Sequence, residues 1–333
     1  MGDEETQLKF GVAGLDDVLS GGLTRGRMFL LQGEPGSGKT TLALQFALSG
    51  AEAGERSLYI TLSESESELR QGAASHDWVL GEEIAVFELI PPDSLLDPGQ
   101  QQSLLYSSDL ELGEVTKQIF DAIERVKPHR VVVDSLSEIR LLAQSSLRYR
   151  RQLLAIKHYL SRKGITVIML DDLTSEDGDR TTHSIAHGVI HLEQLAPAYG
   201  AERRRIRILK YRGQKYRGGY HDLIIARGGV QVFPRLVAAE HHTQFARRAL
   251  STGIKEFDAL LDGGIDSGSS TLILGPAGTG KSLIAIHFAM AAIARGEKAA
   301  LFVFDEELGL LFNRMKGLGI DLEAARARGD LTI

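Results

Sequence analysis

Apolar residues along the chain fall in short runs that alternate with longer stretches of mixed character. The runs "MFLLQG", "SLYITL", "RVVVDS" and "ITVIML" are apolar and β-branched, which predicts four buried strands. Between them, "TTLALQFALSGAEAG" and "LRYRRQLLAIKHYLSRKG" carry apolar residues at helical spacing and end in glycine. Strands that alternate with helices predict an α/β fold, with a mainly parallel, twisted sheet flanked by helices on both faces.

Two later segments have a different pattern. "RRRIRILKYRG" and "DLIIARGGVQVF" mix apolar and polar positions, which is typical of strands with one exposed face. They predict an antiparallel extension of the sheet. The segment Phe233–Arg248, which follows them, is predicted to be a linker.

The pattern then begins a second time. Gly11–Glu64 aligns without a gap with Gly253–Glu306, and about a third of these positions are identical. A period this long indicates tandem domains. We therefore expect a first domain over residues 1–235, a linker over 236–250 and a second copy over 251–333. Since the counterpart of Asp134 would fall beyond Ile333, we expect this copy to be incomplete, with only a strand, a loop, a helix and a second strand, and the sequence to be a fragment.

Composition narrows the class of protein. A length of 333 residues suits two domains, and 43% hydrophobic with 25% charged residues is typical of soluble proteins. The net charge of −6 offers no general attraction to nucleic acid or to an anionic membrane. The absence of cysteine excludes disulfides and thiolate zinc sites. No apolar run approaches the roughly 20 residues of a membrane span, and "MGDEETQLKF" has no signal-peptide pattern, so we expect a cytoplasmic protein.

Two glycine-rich loops carry the clearest chemistry, "GEPGSGKT" from Gly33 and "GPAGTGKS" from Gly275. Such a loop between a strand and a helix directs backbone N–H groups at one point, where the helix dipole also favours an anion. The pattern G-x-x-x-x-G-K-[ST] predicts bound ATP and Mg²⁺, with Lys39 at the β- and γ-phosphates and the Thr40 hydroxyl on the metal.

Carboxylates at the ends of neighbouring strands complete the predicted site. Asp134 directly follows "RVVV" and is the expected second ligand of Mg²⁺. Asp171 and Asp172 end the next strand and compete for that role, but the spacing from Lys39 favours Asp134 and leaves the later pair as sensors around the site. Glu64 follows "YITLS" and has a counterpart in Glu306, so it is the candidate for orienting or deprotonating the attacking water.

A basic stretch lies in the antiparallel extension. Eight of the fifteen residues from Arg203 to Arg217 are arginine or lysine. The residues alone leave three interpretations open: a solvated strand face, a track for nucleic acid, or cations offered to the nucleotide of a neighbouring subunit.

With these elements in place, the chain resembles the KaiC family, RecA-fold P-loop ATPases known from the cyanobacterial circadian clock. The resemblance covers nearly the whole chain. The segments that carry it are "FGVAGLDDVLSGGL", "YITLSESESEL", "VVVDS", "ERRRIRILKYRG" and "STGIKEFDALLDGG". It implies two tandem RecA-like domains stacked as a double ring, usually a hexamer, with ATP between subunits.

The resemblance also implies roles for single residues. A segment that reaches the γ-phosphate of the next subunit in the family matches Lys210, Tyr211 and Arg212, which favours the third interpretation of the basic stretch. A pair of adjacent glutamates that activates water corresponds to Ser63 and Glu64, so one carboxylate is missing from the first copy.

In the second copy that pair is Asp305 and Glu306, which retains both charges, and Ser75 matches a position near the ribose or base. The expected catalytic residues are Lys39, Glu64, Asp134, Lys210 and Arg212. The expected nucleotide contacts of the first loop are Gly33, Gly36, Ser37, Gly38, Lys39, Thr40 and Thr41. Those of the second copy are Gly275, Gly278, Thr279, Gly280, Lys281, Ser282, Leu283 and Glu306. The expected metal ligands are Thr40, Asp134 and Ser282.

The expected function is Mg²⁺-dependent ATP hydrolysis in a homo-oligomeric ring, with regulatory protein partners and a signalling or clock-like role. In the family the second domain is also a serine/threonine autokinase, but the segment that it phosphorylates lies beyond Ile333. One alternative is a DNA-binding recombination or repair ATPase, which the acidic net charge disfavours. Another is a nucleotide-dependent structural switch with little turnover.

Overall fold

The computed structural model describes residues 7–89, 104–173, 181–237, 246–304 and 306–333. They belong to two compact units, one within Met1–Leu236 and the other within Val237–Ile333. No helix in the described ranges is both long and apolar enough to cross a membrane.

The strands of the first unit are β1 (Gln7–Leu8), β2 (Leu23–Thr24), β3 (Met28–Gly33), β4 (Ser57–Thr61), β5 (Ile84–Glu88), β6 (Arg130–Asp134), β7 (Thr166–Asp171), β8 (Gly188–Leu195), β9 (Arg203–Tyr211), β10 (His221–Ala226) and β11 (Gly229–Phe233). Its helices are α1 (Ala13–Val18), α2 (Lys39–Glu52), α3 (Glu66–Ala74), α4 (Leu104–Val126), α5 (Leu136–Ala143), α6 (Ser146–Arg162) and α7 (Thr181–Ile185).

Nine of these strands form one sheet in the order β11-β10-β9-β8-β3-β7-β6-β4-β5. From β8 to β5 every neighbouring pair is parallel, whereas β9, β10 and β11 add on in antiparallel fashion. The four strands predicted from apolar runs are β3, β4, β6 and β7, and the two later segments form β9 and the β10–β11 hairpin. The predicted α/β class, with a mainly parallel sheet and an antiparallel extension, is confirmed.

The core lies on both faces of this sheet. In β3, Phe29 and Leu31 join one apolar cluster with helix α2, while Met28 and Leu30 join another with helices α4 and α6. Successive side chains of a strand point to opposite faces, so a continuous apolar run is what a strand covered on both sides requires.

The register of the parallel strands positions the candidate site. Gln32 pairs with Asp171 across β3 and β7, and Thr61 pairs with Asp134 across β4 and β6. These strands therefore end at a common edge, the carboxyl edge of the sheet. The loop that follows β3 lies at the same edge.

The second unit contains the strands β12 (Ala249–Leu250), β13 (Ile265–Asp266), β14 (Ala299–Ala300) and β15 (Leu331–Thr332). Its helices are α8 (Lys255–Leu260), α9 (Lys281–Ala294), α10 (Leu308–Gly317) and α11 (Leu322–Ala327). The pair β12–β13 is antiparallel and the pair β14–β15 is parallel.

One expectation for this unit is wrong. The segment before the second loop, residues 271–275, is not a strand, and Leu272 and Leu274 are 79% and 81% exposed. Its counterpart β3 is bonded on both sides, to β7 and β8. Within 246–304 and 306–333 no strand takes those two places, and an unpaired segment has no ladder to hold it extended. The predicted second strand is likewise reduced to β14.

Candidate nucleotide-binding site

The loop between β3 and α2 needs glycine for two physical reasons. Gly36 and Gly38 have φ of +80° and +102°, in the left-handed region that favours glycine, and Gly38 caps α2. At Gly33 the backbone angle is ordinary, but a Cβ atom would lie 2.8 Å from the carbonyl oxygen of Leu192. The loop is therefore shaped by its own turn and by close contact with β8.

Lys39 lies folded across this loop. Its Nζ donates to the carbonyl oxygens of Gly33 and Glu34, at 2.8 and 2.9 Å, and is 2.9 Å from Oδ1 of Asp172. Asp172 also accepts hydrogen bonds from Ser135 and Ser137. The ammonium is thus buried, charged and held at the N-terminus of α2, where a phosphate is expected to bind.

Asp134, at the end of β6, lies beside the loop. Its Oδ2 accepts hydrogen bonds from the hydroxyl of Tyr59 at 2.6 Å and from Oγ1 of Thr40 at 3.4 Å. The pKa of Asp134 is raised to about 6, mainly by burial and also by the charges of Glu64 and Asp172, while the hydrogen bond from Tyr59 acts to lower it. The structure therefore brings the two predicted magnesium ligands of the first copy together.

Glu64 lies at the same edge, just after β4. Its backbone N–H donates to Oγ1 of Thr61, its side chain is exposed, and its charge raises the pKa of Asp134. Other acids of "SESESE" have different partners: Glu68 forms a capping box with Ser65 at the start of α3, and Glu66 pairs with Arg70. Glu64 is thus distinguished from its neighbours by its position beside Asp134.

The donor set at this edge fits a nucleotide with Mg²⁺. Oγ of Ser37 is buried and has no hydrogen-bond partner among the described residues, so a phosphate oxygen there would satisfy it. No group of three or more His, Asp or Glu side chains that could hold a metal occurs in the described ranges. Magnesium bound to ATP needs no such cage, since one hydroxyl, one carboxylate, phosphates and water complete its octahedron.

A family model described as "ATPase: KaiC" matches residues 8–237 and 250–333. The chain belongs to the KaiC ATPase family. This agrees with the resemblance inferred from the motifs of both copies.

Curated relatives within the KaiC family cover nearly the whole chain. The "Circadian clock protein KaiC3" of Synechocystis sp. (strain ATCC 27184 / PCC 6803 / Kazusa) is 29% identical over 340 residues, which cover 99% of this chain and 66% of that protein. The "Circadian clock oscillator protein KaiC" of Thermostichus vulcanus is 31% identical over 327 residues, which cover 97% and 62% respectively. The chain therefore spans about three-fifths to two-thirds of the length of these relatives.

The finger, which is the segment 210–212 that the resemblance matches to the γ-phosphate contact of the KaiC family, lies at the opposite edge of the sheet from the first loop. Because β9 is antiparallel to β8, its last residues lie beside Gly188 and Val189, where β8 begins. Nζ of Lys210 donates to the carbonyl oxygens of His183 and Ala186 there. The structure thus separates the finger from the first loop of the same chain.

The other residues matched by resemblance form hydrogen bonds outside the loop. Nη2 of Arg212 donates to the carbonyl oxygen of Ser184 at 2.7 Å. The Tyr211 side chain is buried, and its hydroxyl donates to the carbonyl oxygen of Gly22. Ser75 ends α3 with an exposed side chain whose hydroxyl donates within that helix.

The second loop has the same backbone as the first in a different setting. Gly278 and Gly280 have φ of +82° and +86°, and Nζ of Lys281 donates to the carbonyl oxygens of Gly275 and Pro276. Thr279 bonds within the loop, and Ser282 and Leu283 open α9. Lys281 is only partly buried, and in 246–304 and 306–333 no carboxylate takes the place that Asp172 has beside Lys39. Glu306 pairs with Arg314, and Asp305 lies outside the described residues.

Several arginines of β9 have partners on neighbouring residues in or beside the sheet. Arg203 pairs with Asp222, and Arg205 with Glu193 at 2.9 Å. The guanidinium of Arg207 lies 4.7 Å from the ring centre of Tyr220. This pairing gives no support to a continuous cationic track for nucleic acid.

Two functional neighbours escaped the sequence interpretation. Tyr59 was counted only as an apolar strand residue, although a phenol in a buried strand usually has a hydrogen-bond partner. The sequence offers Asp172 as a competitor of Asp134 or as a sensor beside the site, but it does not indicate the contact with Lys39. The sequence signal for this contact is that Asp172 follows a strand whose end lies at the same edge of the sheet as the loop lysine.

Proposed function

We propose that the chain binds ATP with Mg²⁺ at its first loop and hydrolyses it. The observation that supports this most is the convergence of Lys39, Thr40 and Asp134 at one end of α2, with Glu64 beside them. Residues 1–235 would form the complete ATPase domain, and residues 251–333 would belong to a second, related domain.

In this proposal each side chain has one task. Backbone N–H groups of the loop and Nζ of Lys39 bind the phosphates, and Lys39 exchanges carbonyl contacts for phosphate contacts. Thr40 and Asp134 hold the metal ion, which supplies positive charge to the transferred phosphoryl group. Because the pKa of Asp134 is about 6, its carboxylate is ionised at neutral pH. Glu64 orients the attacking water and accepts its proton.

We infer a ring of copies from the position of Lys210 and Arg212. The six residues of β3 span about 20 Å, so these cations do not reach the nucleotide on their own loop. A head-to-tail contact between copies places them at the phosphates of a neighbour, and such contacts close into rings. The hexamer of the KaiC family is the expected size.

The wider role rests on the relatives. Those cited above are named as circadian clock proteins. We propose a signalling or clock-like role, with regulatory protein partners. Serine/threonine autokinase activity in a longer form of the protein is a further part of this proposal.

The test is size-exclusion chromatography with light scattering, with and without ATP and Mg²⁺, while phosphate release is followed. We expect monomers without nucleotide, rings with it, and steady phosphate release. Monomers with no phosphate release under both conditions would contradict the proposal.

A second candidate function has a specific residue in its favour. Ser63 stands where the KaiC family has the first of two glutamates, so ATP would act mainly as a structural ligand between copies. Rings that form with ATP but release no phosphate would support this switch in place of the ATPase.

A further inference from the structure

A cavity in the first unit lies at the amino edge of the sheet, where β3, β7 and β8 begin. It measures about 130 Å³, whereas one water needs roughly 10–15 Å³ on the same measure. Its polar lining includes Arg27, Lys157, His187 and Arg212, and none of its ten lining residues is Asp or Glu. The cavity is therefore a basic one, formed by residues far apart in sequence.

The basic groups of this cavity act on one another. Burial lowers the pKa of Lys157, and the charges of Arg212 and Arg27 lower it further. Burial, with the charges of Arg27, Arg212, Lys157 and Lys210, lowers the pKa of His187 to about 4, so its imidazole is neutral at pH 7. Cations that repel one another around an open cavity favour the binding of an anion.

The basic side chains of the cavity have hydrogen-bond donors that a phosphate could engage. Nζ of Lys157 donates to the carbonyl oxygen of Ile185 at 2.7 Å, as Arg212 does to that of Ser184. These are neutral carbonyls, and a phosphate oxygen forms a stronger, charge-assisted bond with the same donors. Nε2 of His187 is buried and has no hydrogen-bond partner among the described residues.

We propose that this cavity is a phosphate-binding site, in which Lys157, Arg27 and His187 extend the finger formed by Lys210 and Arg212. Its ligand is the terminal phosphate of ATP held by the first loop of a neighbouring copy, an assignment that rests on the proposed function. Lys157 lies on α6, outside the finger segment, and adds a third cation from a different element. A further cation at this place stabilises the charge on the transferred phosphoryl group.

The main test compares variants of helix α6 in the full chain. We expect Lys157→Gln to lower kcat for ATP about 10- to 100-fold, as the loss of one charge-assisted bond does, with a smaller change in KM. Lys157→Arg keeps the charge and should retain most of the activity. Arg151→Gln, an exposed arginine on the same helix, is the matched control and should behave as wild type.

A mixing experiment tests whether Lys157 acts on a neighbour. Glu64→Gln subunits have an intact cavity and a defective loop site, and Lys157→Gln subunits have the reverse. In an equal random mixture about a quarter of the interfaces join an intact loop to an intact cavity. We expect phosphate release to recover to about that fraction of wild type.

Each remaining result has a definite meaning. Wild-type protein without ATP turnover would refute the proposed function and this inference with it. Normal turnover in wild type and in Lys157→Gln would refute the inference alone, as would a mixture that recovers no activity. If inorganic phosphate alone binds the wild-type chain through Lys157 while turnover is indifferent to that residue, the ligand is free phosphate and the neighbour's ATP is excluded.

Discussion

The hydroxyl of Tyr59 donates a 2.6 Å hydrogen bond to Oδ2 of Asp134, the same oxygen that Thr40 reaches at 3.4 Å. Burial and the charge of Asp134 raise the pKa of Tyr59 well above its usual value, so the phenol remains a donor. The Tyr59 hydrogen bond in turn lowers the pKa of Asp134 and so opposes the effect of burial on that pKa. A tyrosine in a core strand thus helps to keep the candidate metal ligand ionised at neutral pH.

Removing the Tyr59 hydroxyl should weaken the binding of Mg²⁺, and the size of the effect should depend on pH. In Tyr59→Phe the pKa of Asp134 rises further, because a bond to its charged form is lost. We expect the Mg²⁺ concentration for half-maximal turnover to increase about tenfold at pH 6.5 and less at pH 8. Tyr149→Phe, which removes another buried phenol in α6, is the control. An equal effect of both substitutions at both pH values would show that Tyr59 has no specific role.

Neutralising Asp134 should stabilise the fold while it abolishes turnover. Its folded pKa of about 6 lies above the unfolded value of about 3.9. The folded state therefore holds the proton more tightly, and stability falls as the pH rises from about 4 to 6. Without Mg²⁺, Asp134→Asn should raise the free energy of unfolding by about 1–3 kcal/mol at pH 7 and by much less at pH 4.5.

Urea unfolding at the two pH values measures this difference, with the exposed Asp121→Asn as control. A gain in Asp134→Asn that is the same at both pH values would show that the buried charge is not its cause.

Replacing Glu64 should separate binding from chemistry. Glu64→Gln keeps the shape of the side chain but removes its basicity, and we expect kcat to fall about 10²- to 10⁴-fold with ATP binding retained. Ser63→Ala, at the adjacent exposed position, should leave kcat within about twofold. Single-turnover phosphate release and nucleotide titration measure the two quantities. Full activity in Glu64→Gln would remove it from the mechanism.

The two loop lysines should differ in their effect on nucleotide affinity. Lys39 is buried beside a carboxylate, whereas Lys281 is only partly buried and has no carboxylate partner among the described residues. Lys39→Ala should weaken binding of a non-hydrolysable ATP analogue with Mg²⁺ about 100-fold at the first site and prevent assembly. Lys281→Ala should leave that site unchanged. Calorimetric titration of both variants with the analogue measures these affinities. A larger loss of affinity in Lys281→Ala than in Lys39→Ala would place the principal site in the second unit.

Replacing two different glycines by alanine should change the free energy of unfolding in opposite directions. A Cβ at Gly33 would lie 2.8 Å from the backbone oxygen of Leu192, whereas one at Gly72, in α3, meets nothing within 4 Å. Gly33→Ala should destabilise the first unit by about 1–3 kcal/mol. Gly72→Ala should stabilise it by about 0.5–1 kcal/mol, since alanine favours the helix. Thermal unfolding checks both, and a tolerated Gly33→Ala would show that β8 moves aside.

Part of the fold could be predicted because its signals are local, whereas strands β5 and β8 and helices such as α3 and α4 were not predicted. The apolar runs of β3, β4, β6 and β7 lie at contiguous positions, and the spacing in α2 and α6 reports one helix face at a time. The loop from Gly33 to Thr40 is likewise a continuous motif, and its glycines have the positive φ values that a tight phosphate-type loop requires. Each of these features depends on residues within a few positions of one another.

The sequence by itself determined strands β3, β4, β6, β7 and β9–β11 and helices α2 and α6 of the first unit, the phosphate-type loop and the repeat of that loop. Only the tertiary structure decided that Asp172 contacts Lys39, that Tyr59 bonds Asp134 and that Lys157 shares a cavity with Arg212. It also decided that residues 271–275 form no strand. The reason is common to all of them: strand pairing and side-chain contact join residues distant in sequence, and the register that brings them together exists only in the folded sheet.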